Sequence, residues 1–240
     1  MTPRTVRVVL SDLDDTLFDH QHAARAAVGA LPAIAPELSR WSLDELDARH
    51  RELLDRLHIQ VLTGQMTIDD ARIERFSRLV RDAGGTCSAE RAAVVARCYR
   101  QTYERVWQVV PGALALVAAI RDAGLQLVIV TNNVVTEQRL KLDRCGLSEY
   151  VDVLLTSEEA GFLKPDARIF HLALSRVGAA AADAVMLGDA WTTDIDGARA
   201  AGIRPVWLNR QGLPSPDRAV TEIHSLEPAA AVLRVLSSPI

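Results

Sequence analysis

An apolar run that ends in two carboxylates constrains the fold of this chain more than any other stretch. Residues 6–10 are mostly apolar and β-branched, which predicts a strand buried on both faces, as in a parallel sheet. Asp12 and Asp14 follow, and the period of two predicts that both leave the strand on the same side. Open α/β sheets bind ligands at the carboxyl ends of their strands. Two like charges there favour a hard cation with oxygen ligands, and the alternative is an Asp-rich turn that caps a helix.

Length and composition set the class of protein. The chain has 240 residues, of which 49% are hydrophobic, enough for one domain with an insertion or for two small domains. The net charge of -4 gives no sign of a nucleic-acid partner. The three cysteines form no CxxC pair, which predicts a reducing compartment and no structural zinc. No apolar run has the length of a signal peptide core or of a membrane span, so we expect a cytoplasmic protein with no membrane partner.

The stretch from residue 20 to residue 107 carries helical periodicity and no strand alternation. Ser42, Thr67 and Ser88 each stand where a side chain can cap the start of a helix. Glu45 follows Ser42 at the spacing of a capping box. This pattern predicts an all-α subdomain of four helices, inserted after the first strand.

From Pro111 onward, helices that end at glycine alternate with short apolar strands. Alternation of this kind favours a parallel sheet with helices on both faces. The predicted fold is therefore a Rossmann-like α/β core made of residues 1–19 and 108–240, with residues 20–107 as the inserted helical domain. The strands predicted in this half cover residues 126–130, 151–155, 184–187 and 204–208.

Polar residues follow two further predicted strands at their carboxyl ends. Thr131 and Asn132 follow the second strand, where a hydroxyl and backbone N–H groups can face an anion, although capping a helix is the common use. Asp189 follows the glycine that ends a later strand, and Asp194 stands at the start of the next helix. An acid in that position also favours the helix dipole, but two more carboxylates at one strand end exceed what capping needs.

Lysine is rare in this chain, since only two of its 27 basic residues are lysines. Lys164 lies between a strand and a helix, where a compact ammonium can contact a carboxylate and a phosphoryl oxygen that a planar guanidinium would not fit. A solvated loop lysine is the alternative. Lys141 stands on a helix between Arg139 and Arg144, and we predict that it is solvated.

The strand-end residues together suit a Mg²⁺ ion and a phosphate ester. A carboxylate can attack phosphorus to form an aspartyl-phosphate, provided that a metal ion and fixed donors offset the charge repulsion. Other catalytic signatures are missing, because the sequence has no GxxxxGK[ST], GxGxxG, GxSxG or HExxH, and its six histidines show no metal spacing. The residues that carry this interpretation are Asp12, Asp14, Asp189, Asp194, Lys164 and Thr131.

These motifs resemble the haloacid-dehalogenase superfamily, specifically its Mg²⁺-dependent phosphatases with a helical cap inserted after the first motif. The resemblance covers nearly the whole chain and implies a mobile cap that closes over the site and excludes water. The motifs, in chain order, are Asp-x-Asp-x-Thr-Leu from Asp12 to Leu17, Thr131 after an apolar strand, Lys164 before Pro165, and Gly188-Asp189 with Asp194.

The resemblance also implies a role for each motif residue. Asp12 is the nucleophile, and Asp14 is first the general acid and then the general base. The phosphoryl group is held by Thr131, Asn132 and Lys164. The residues implied for Mg²⁺ are Asp12, the backbone carbonyl of Asp14, Asp189 and Asp194, with Asp194 orienting the others or acting through water.

Three stretches resemble the pyrimidine 5′-nucleotidase subgroup of this superfamily, namely Thr131-Asn132, residues 157–161 and residues 206–209. They favour a pyrimidine nucleoside 5′-monophosphate as the substrate. Phosphatases of FMN and of N-acylneuraminate 9-phosphate are also similar, and phosphoglycolate or a sugar phosphate stays open. The subgroup usually has glycine after Thr-Asn, whereas this chain has Asn133, a residue type that tolerates left-handed φ.

Three alternatives compete with a phosphatase. A 2-haloacid dehalogenase needs neither an acid at Asp14 nor a metal, and sugar-phosphate mutases usually have glycine where this chain has Asp15. A phosphate-binding protein without catalysis would not need every catalytic position filled. We therefore expect a small phosphorylated metabolite as the partner, no nucleic acid, no membrane, and a monomer or homodimer.

Overall fold

The structure is a computed structural model that describes residues 5–238. The chain divides into two compact units. One contains the residues up to Asp19 together with those from Gln108 onward, and the other contains His20–Trp107. No described helix is both long enough and apolar enough to cross a membrane.

The unit from His20 to Trp107 is built from helices alone, as predicted. Side chains of Ser42, Thr67 and Ser88 accept hydrogen bonds from the backbone N–H groups three residues on, and Ser42 with Glu45 forms the predicted capping box. Two short 3₁₀ segments, Leu31–Ala33 and Pro36–Arg40, were not predicted. The four main helices are α1 (His20–Ala30), α2 (Leu43–Leu62), α3 (Ile68–Asp82) and α4 (Ala89–Arg105).

A six-stranded parallel sheet forms the centre of the other unit, and its strand order is β3-β2-β1-β4-β5-β6. The predicted α/β class is thereby confirmed. The sequence predicted the first five strands but not β6, which has three residues and follows a turn-rich segment. The strands are β1 (Val8–Ser11), β2 (Gln126–Thr131), β3 (Val153–Thr156), β4 (Ala184–Gly188), β5 (Arg204–Leu208) and β6 (Thr221–Ile223).

Helices cover both faces of this sheet. Val8 and Leu10 of β1 pack with Phe170 in one apolar cluster under two of the helices, whereas Val9 between them is buried on the opposite face. Two further helices pack on each other and on β2 and β4, outside that cluster. In order, the helices are α5 (Ala113–Asp122), α6 (Val135–Arg144), α7 (Ser157–Ala160), α8 (Ala167–Arg176), α9 (Asp196–Ala200) and α10 (Ala229–Ser237), of which α8 and α9 cover the first face and α5 and α10 the second.

The strand order places the candidate site. β1 lies between β2 and β4, and these three parallel strands end at Ser11, Thr131 and Gly188. The residues that follow them therefore meet at one edge of the sheet, the edge at which doubly wound sheets bind ligands. A π-helical turn, Trp191–Ile195, follows β4 and brings Asp194 back to the same edge of the sheet. The sequence predicted that a regular helix would start at Asp194.

Candidate active site

Lys164 lies at the centre of the site and is buried, with 4% of its surface exposed. Its Nζ atom donates to Oδ1 of Asp12 at 2.6 Å and to Oδ1 of Asp194 at 2.7 Å. Burial by itself lowers the pKa of this ammonium, but the charges of Asp12 and Asp194 together raise it above its ordinary value. Lys164 is therefore a cation held between two carboxylates, and the solvated-loop alternative is wrong.

The loop that carries Lys164 is fixed by Asn132. The Asn132 side chain donates from Nδ2 to the carbonyl oxygen of Lys164 at 2.9 Å and accepts from its backbone N–H at 2.8 Å. This two-point contact joins the end of β2 to the segment between α7 and α8. The side chain of Asn132 thus positions the lysine, and its part in phosphate binding stays a prediction.

Three carboxylates form a cluster that can hold a metal ion. One oxygen from each of Asp12, Asp189 and Asp194 lies within 4.8 Å of the others. Burial raises the pKa of Asp12 to about 7, against the opposing charge of Lys164. Burial and the charges of Asp194 and Asp12 raise the pKa of Asp189 well above its ordinary value. A hard divalent cation binds oxygen ligands and stabilises the ionised form of carboxylates that crowd one another. These three residues therefore fit Mg²⁺.

Gly188 makes room for this cluster. A Cβ atom at position 188 would lie 2.3 Å from Oδ2 of Asp194 and 2.4 Å from its Cβ. The Oδ2 atom of Asp194 also accepts from the backbone N–H of Ala190 at 3.1 Å, and the Thr16 hydroxyl donates to Oδ1 of Asp189 at 3.2 Å. Only glycine at the end of β4 lets the Asp194 side chain occupy this place.

Asp14 does not lie in the three-carboxylate cluster. The strand ends at Ser11, so the strand period that predicted a common side for Asp12 and Asp14 no longer applies. Instead the backbone turns, with Asp15 at a φ of 64° and the N–H groups of the next three residues directed to the Leu13 carbonyl. The turn aims the Asp14 carboxylate at α6, the helix that follows β2.

Lys141 is the partner of Asp14, and the prediction that Lys141 is solvated is wrong. Only 2% of Lys141 is exposed, its Nζ donates to Oδ1 of Asp14 at 2.6 Å, and it lies 4.9 Å from the Phe18 ring centroid. Its helix turns this side chain inward between two outward arginines. The low number of lysines in the chain argued for a specific role of Lys141 as much as of Lys164. It was the one feature of the sequence that could have identified both as buried ion-pair partners.

Gln138 and Asn133 also contact Asp14, and the sequence by itself assigned no role to Gln138. The buried Nε2 of Gln138 donates to Oδ2 of Asp14 at 2.9 Å and to Oγ1 of Thr131 at 2.7 Å. Since Thr131 accepts from Gln138, its own hydroxyl hydrogen can be donated to a ligand. Asn133 donates to the same Asp14 oxygen at 3.3 Å, a contact that glycine could not make. Its backbone does not have positive φ, so asparagine is unstrained there.

The sequence profile of the haloacid dehalogenase-like hydrolases matches residues 6–202, which include the whole helical unit and most of the other unit. The chain belongs to this family. Its match covers the strand-end acids, Lys164 and the helical insertion, so the resemblance drawn from the motifs is confirmed.

Individual relatives differ in activity. A ribulose-1,5-bisphosphate 5-phosphatase of Halopiger xanaduensis is 33% identical over 89% of this chain and 91% of that protein. The pyrimidine 5′-nucleotidase YjjG of Escherichia coli is 37% identical, over 49% of this chain and 54% of the nucleotidase. Among solved structures, the HAD hydrolase YfnB of Bacillus subtilis, bound to magnesium, has a TM-score of 0.74 at 28% identity and covers 96% of this chain and 99% of its own.

The pairing of Asp14 with Lys141 can be measured as a stability coupling. Asp14→Ala leaves the Lys141 ammonium buried without this carboxylate, so we expect the free energy of unfolding to fall by about 2 kcal/mol. Asp14→Ala combined with Lys141→Met removes both charges and should recover at least half of that loss. Chemical denaturation of the wild type, both single variants and the double variant provides the cycle. Additive effects of the two substitutions would show that Lys141 does not depend on Asp14.

Proposed function

We propose that this protein is a Mg²⁺-dependent phosphomonoester hydrolase that acts on a small metabolite through an aspartyl-phosphate. One observation carries the proposal: a buried ammonium, that of Lys164, lies between Asp12 and Asp194 beside a three-carboxylate cluster. Acids gathered around one fixed cation suit a reaction in which a carboxylate must approach a phosphate dianion. The phosphatase activity of the relative matched over nearly its whole length agrees with this chemistry.

Asp12 is the proposed nucleophile. Lys164 holds its Oδ1, which fixes the carboxylate at the end of the central strand. In the first step a bond forms between phosphorus and an Asp12 oxygen while the bond from phosphorus to the alcohol oxygen breaks, and Asp14 gives its proton to that leaving oxygen. In the second step Asp14 takes a proton from water, which attacks phosphorus and releases inorganic phosphate and the Asp12 carboxylate.

Thr131 and Lys164 are the proposed phosphoryl contacts, with Asn132 beside them. The Thr131 hydroxyl accepts from Gln138 and so directs its hydrogen elsewhere, which suits donation to a phosphoryl oxygen. The same Gln138 amide holds Asp14, so one side chain couples the group that binds phosphate to the group that moves the proton. Gln138 is therefore a positioning residue in this mechanism.

Asp12, Asp189 and the backbone carbonyl of Asp14 are the proposed ligands for Mg²⁺. When bound, the ion would offset the negative charge that collects on the phosphoryl oxygens. Asp194 already uses Oδ1 on Lys164 and Oδ2 on the Ala190 N–H, which suits a residue that orients the cluster or acts through water. The dehalogenase alternative gives no use to Asp189 or to the anchored Asp14.

A pyrimidine nucleoside 5′-monophosphate is the substrate that we propose to test first. Support comes from the three nucleotidase-like stretches and from the similarity to YjjG over about half of each chain. The Asn133 departure does not count against this substrate on steric grounds, because the backbone there does not need glycine. The side-chain donors described at the sheet edge contact carboxylates, the Thr131 hydroxyl or the Lys164 backbone, and none of these contacts selects between alcohols.

Asp12→Asn tests the nucleophile. The amide keeps the shape of the side chain but cannot attack phosphorus, so we expect turnover of p-nitrophenyl phosphate to fall at least ~10³-fold, or about 4 kcal/mol. Asp122→Asn, at an exposed position on α5, is the matched control and should keep wild-type turnover. Near-normal activity of a correctly folded Asp12→Asn protein would falsify the mechanism.

Asp189→Asn tests the metal site by stability as well as by activity. The wild type should need Mg²⁺, lose turnover in excess EDTA, and unfold at a higher temperature with Mg²⁺ than without it. Removal of one crowded carboxylate should raise the unfolding temperature in EDTA and abolish the increase with Mg²⁺. Full turnover of the wild type in excess EDTA would point to a metal-free mechanism such as that of a dehalogenase.

A comparison of kcat/KM values identifies the substrate. We expect UMP, dUMP or dTMP to exceed FMN, N-acylneuraminate 9-phosphate, phosphoglycolate, ribulose 1,5-bisphosphate and hexose phosphates. If one of the latter leads by more than about tenfold, equivalent to ~1.4 kcal/mol in transition-state binding, the nucleotidase proposal is wrong while the phosphatase proposal stands.

A further inference from the structure

The interior of the helical unit contains a buried arginine, Arg75 on α3. Only 7% of Arg75 is exposed, and its guanidinium lies 4.8 Å from the ring centroid of Phe76 and 5.2 Å from that of Tyr99. Its Nε atom is buried and has no hydrogen-bond partner. In the described part of the chain, no carboxylate forms an ion pair with Arg75, and burial lowers its pKa.

A buried guanidinium without a carboxylate is costly, because burial removes its hydration and aromatic contacts return only part of that free energy. Four acids on the surrounding helices pair with other arginines and not with Arg75. These pairs are Asp47 with Arg51, Asp69 with Arg72, Glu74 with Arg78, and Glu104 with Arg100.

A second polar group in the same cluster also lacks a partner. His50 on α2 is 1% exposed, and its buried Nε2 has no hydrogen bond. Its ring stacks on Phe76 at 5.8 Å and lies 4.9 Å from the Tyr99 ring. Burial first, and then the positive charge of Arg75, lower the pKa of His50 well below its ordinary value, so the imidazole is neutral and can donate one N–H.

We propose that Arg75 and His50 form a subsite for an anionic group, a carboxylate or a phosphate, within the helical unit. The guanidinium offers two parallel N–H donors that fit either group, and the imidazole offers a further donor beside it. The aromatic rings of Phe76 and Tyr99 lie beside the guanidinium and limit its contact with water. The anion is either a second acidic group on the phosphorylated substrate or a free metabolite anion, and the two sources share one recognition chemistry.

Thermal unfolding with malonate tests the subsite without using catalysis. Malonate at about ten times its Kd should raise the unfolding temperature of the wild type by about 3 °C. Arg75→Met should abolish this shift. Arg97→Met, at an exposed position on α4, is the matched control and should keep it.

A pair of matched phosphate esters tests whether the anion is part of the substrate. This experiment rests on the proposed phosphatase function. Phosphoglycolate carries a carboxylate where 2-hydroxyethyl phosphate carries a hydroxyl. We expect wild-type kcat/KM to favour phosphoglycolate by at least about tenfold, and Arg75→Met to reduce the ratio to about one. The Arg97→Met protein should keep the wild-type ratio.

Each outcome decides the proposal. An increase in unfolding temperature with malonate that depends on Arg75 supports the subsite, whether or not the enzyme prefers phosphoglycolate. The ratio of kcat/KM for the two esters then shows whether the anion is a group on the substrate or a free anion. No malonate shift and no ester preference in the wild type overturn it. The subsite proposal is also wrong if Arg75→Met loses activity equally on both esters and keeps the malonate shift. It is wrong as well if Arg75→Met and Arg75→Gln both fail to fold. Absence of all turnover, including that of p-nitrophenyl phosphate, refutes the phosphatase, and the malonate measurement still decides the subsite.

Discussion

The pairing of one ammonium with two carboxylates is the interaction on which the candidate site depends. Asp12 and Asp194 lie on segments that the sheet brings together, and without Lys164 their charges would face each other in a buried space. Even with it, burial keeps the pKa of Asp12 near 7. The fold therefore maintains a strained concentration of negative charge, which is typical of a site that binds a cation and an anionic substrate.

The same kind of ion pair occurs twice, since each of two neighbouring aspartates pairs with its own buried lysine. Asp12 pairs with Lys164 and Asp14 pairs with Lys141, although only one residue separates the two acids. The turn at Asp15 makes this separation possible by directing the second carboxylate toward α6. Two carboxylates in different surroundings can take different parts in one reaction, which is the arrangement that a nucleophile and a proton carrier need.

We expect substrate specificity to come from residues outside the contacts at the sheet edge. The residues at the sheet edge contact one another and are suited to phosphorus and a metal ion, so they give the same chemistry to any alcohol that can enter. Relatives of this chain accordingly include a sugar bisphosphate phosphatase and a nucleotidase. The helical unit contains polar groups with unused hydrogen-bonding capacity, Arg75 and His50, and such groups distinguish ligands because the wrong ligand leaves them unpaired.

Local patterns in the sequence determined the strands, the helix caps, the parallel α/β class and the acids at the strand ends, because strand period, capping and glycine stops act over a few residues. Tertiary structure alone decided which polar side chains meet. Lys141 and Asp14 are 127 residues apart, and Gln138 reaches Asp14 and Thr131 only because α6 presents one face to the sheet edge. The buried state of Arg75 could not be predicted either, since a helical pattern shows that Arg75 is in a helix and not which acids pair with it. Partnership between distant side chains is set by packing, and packing is a property of the whole chain.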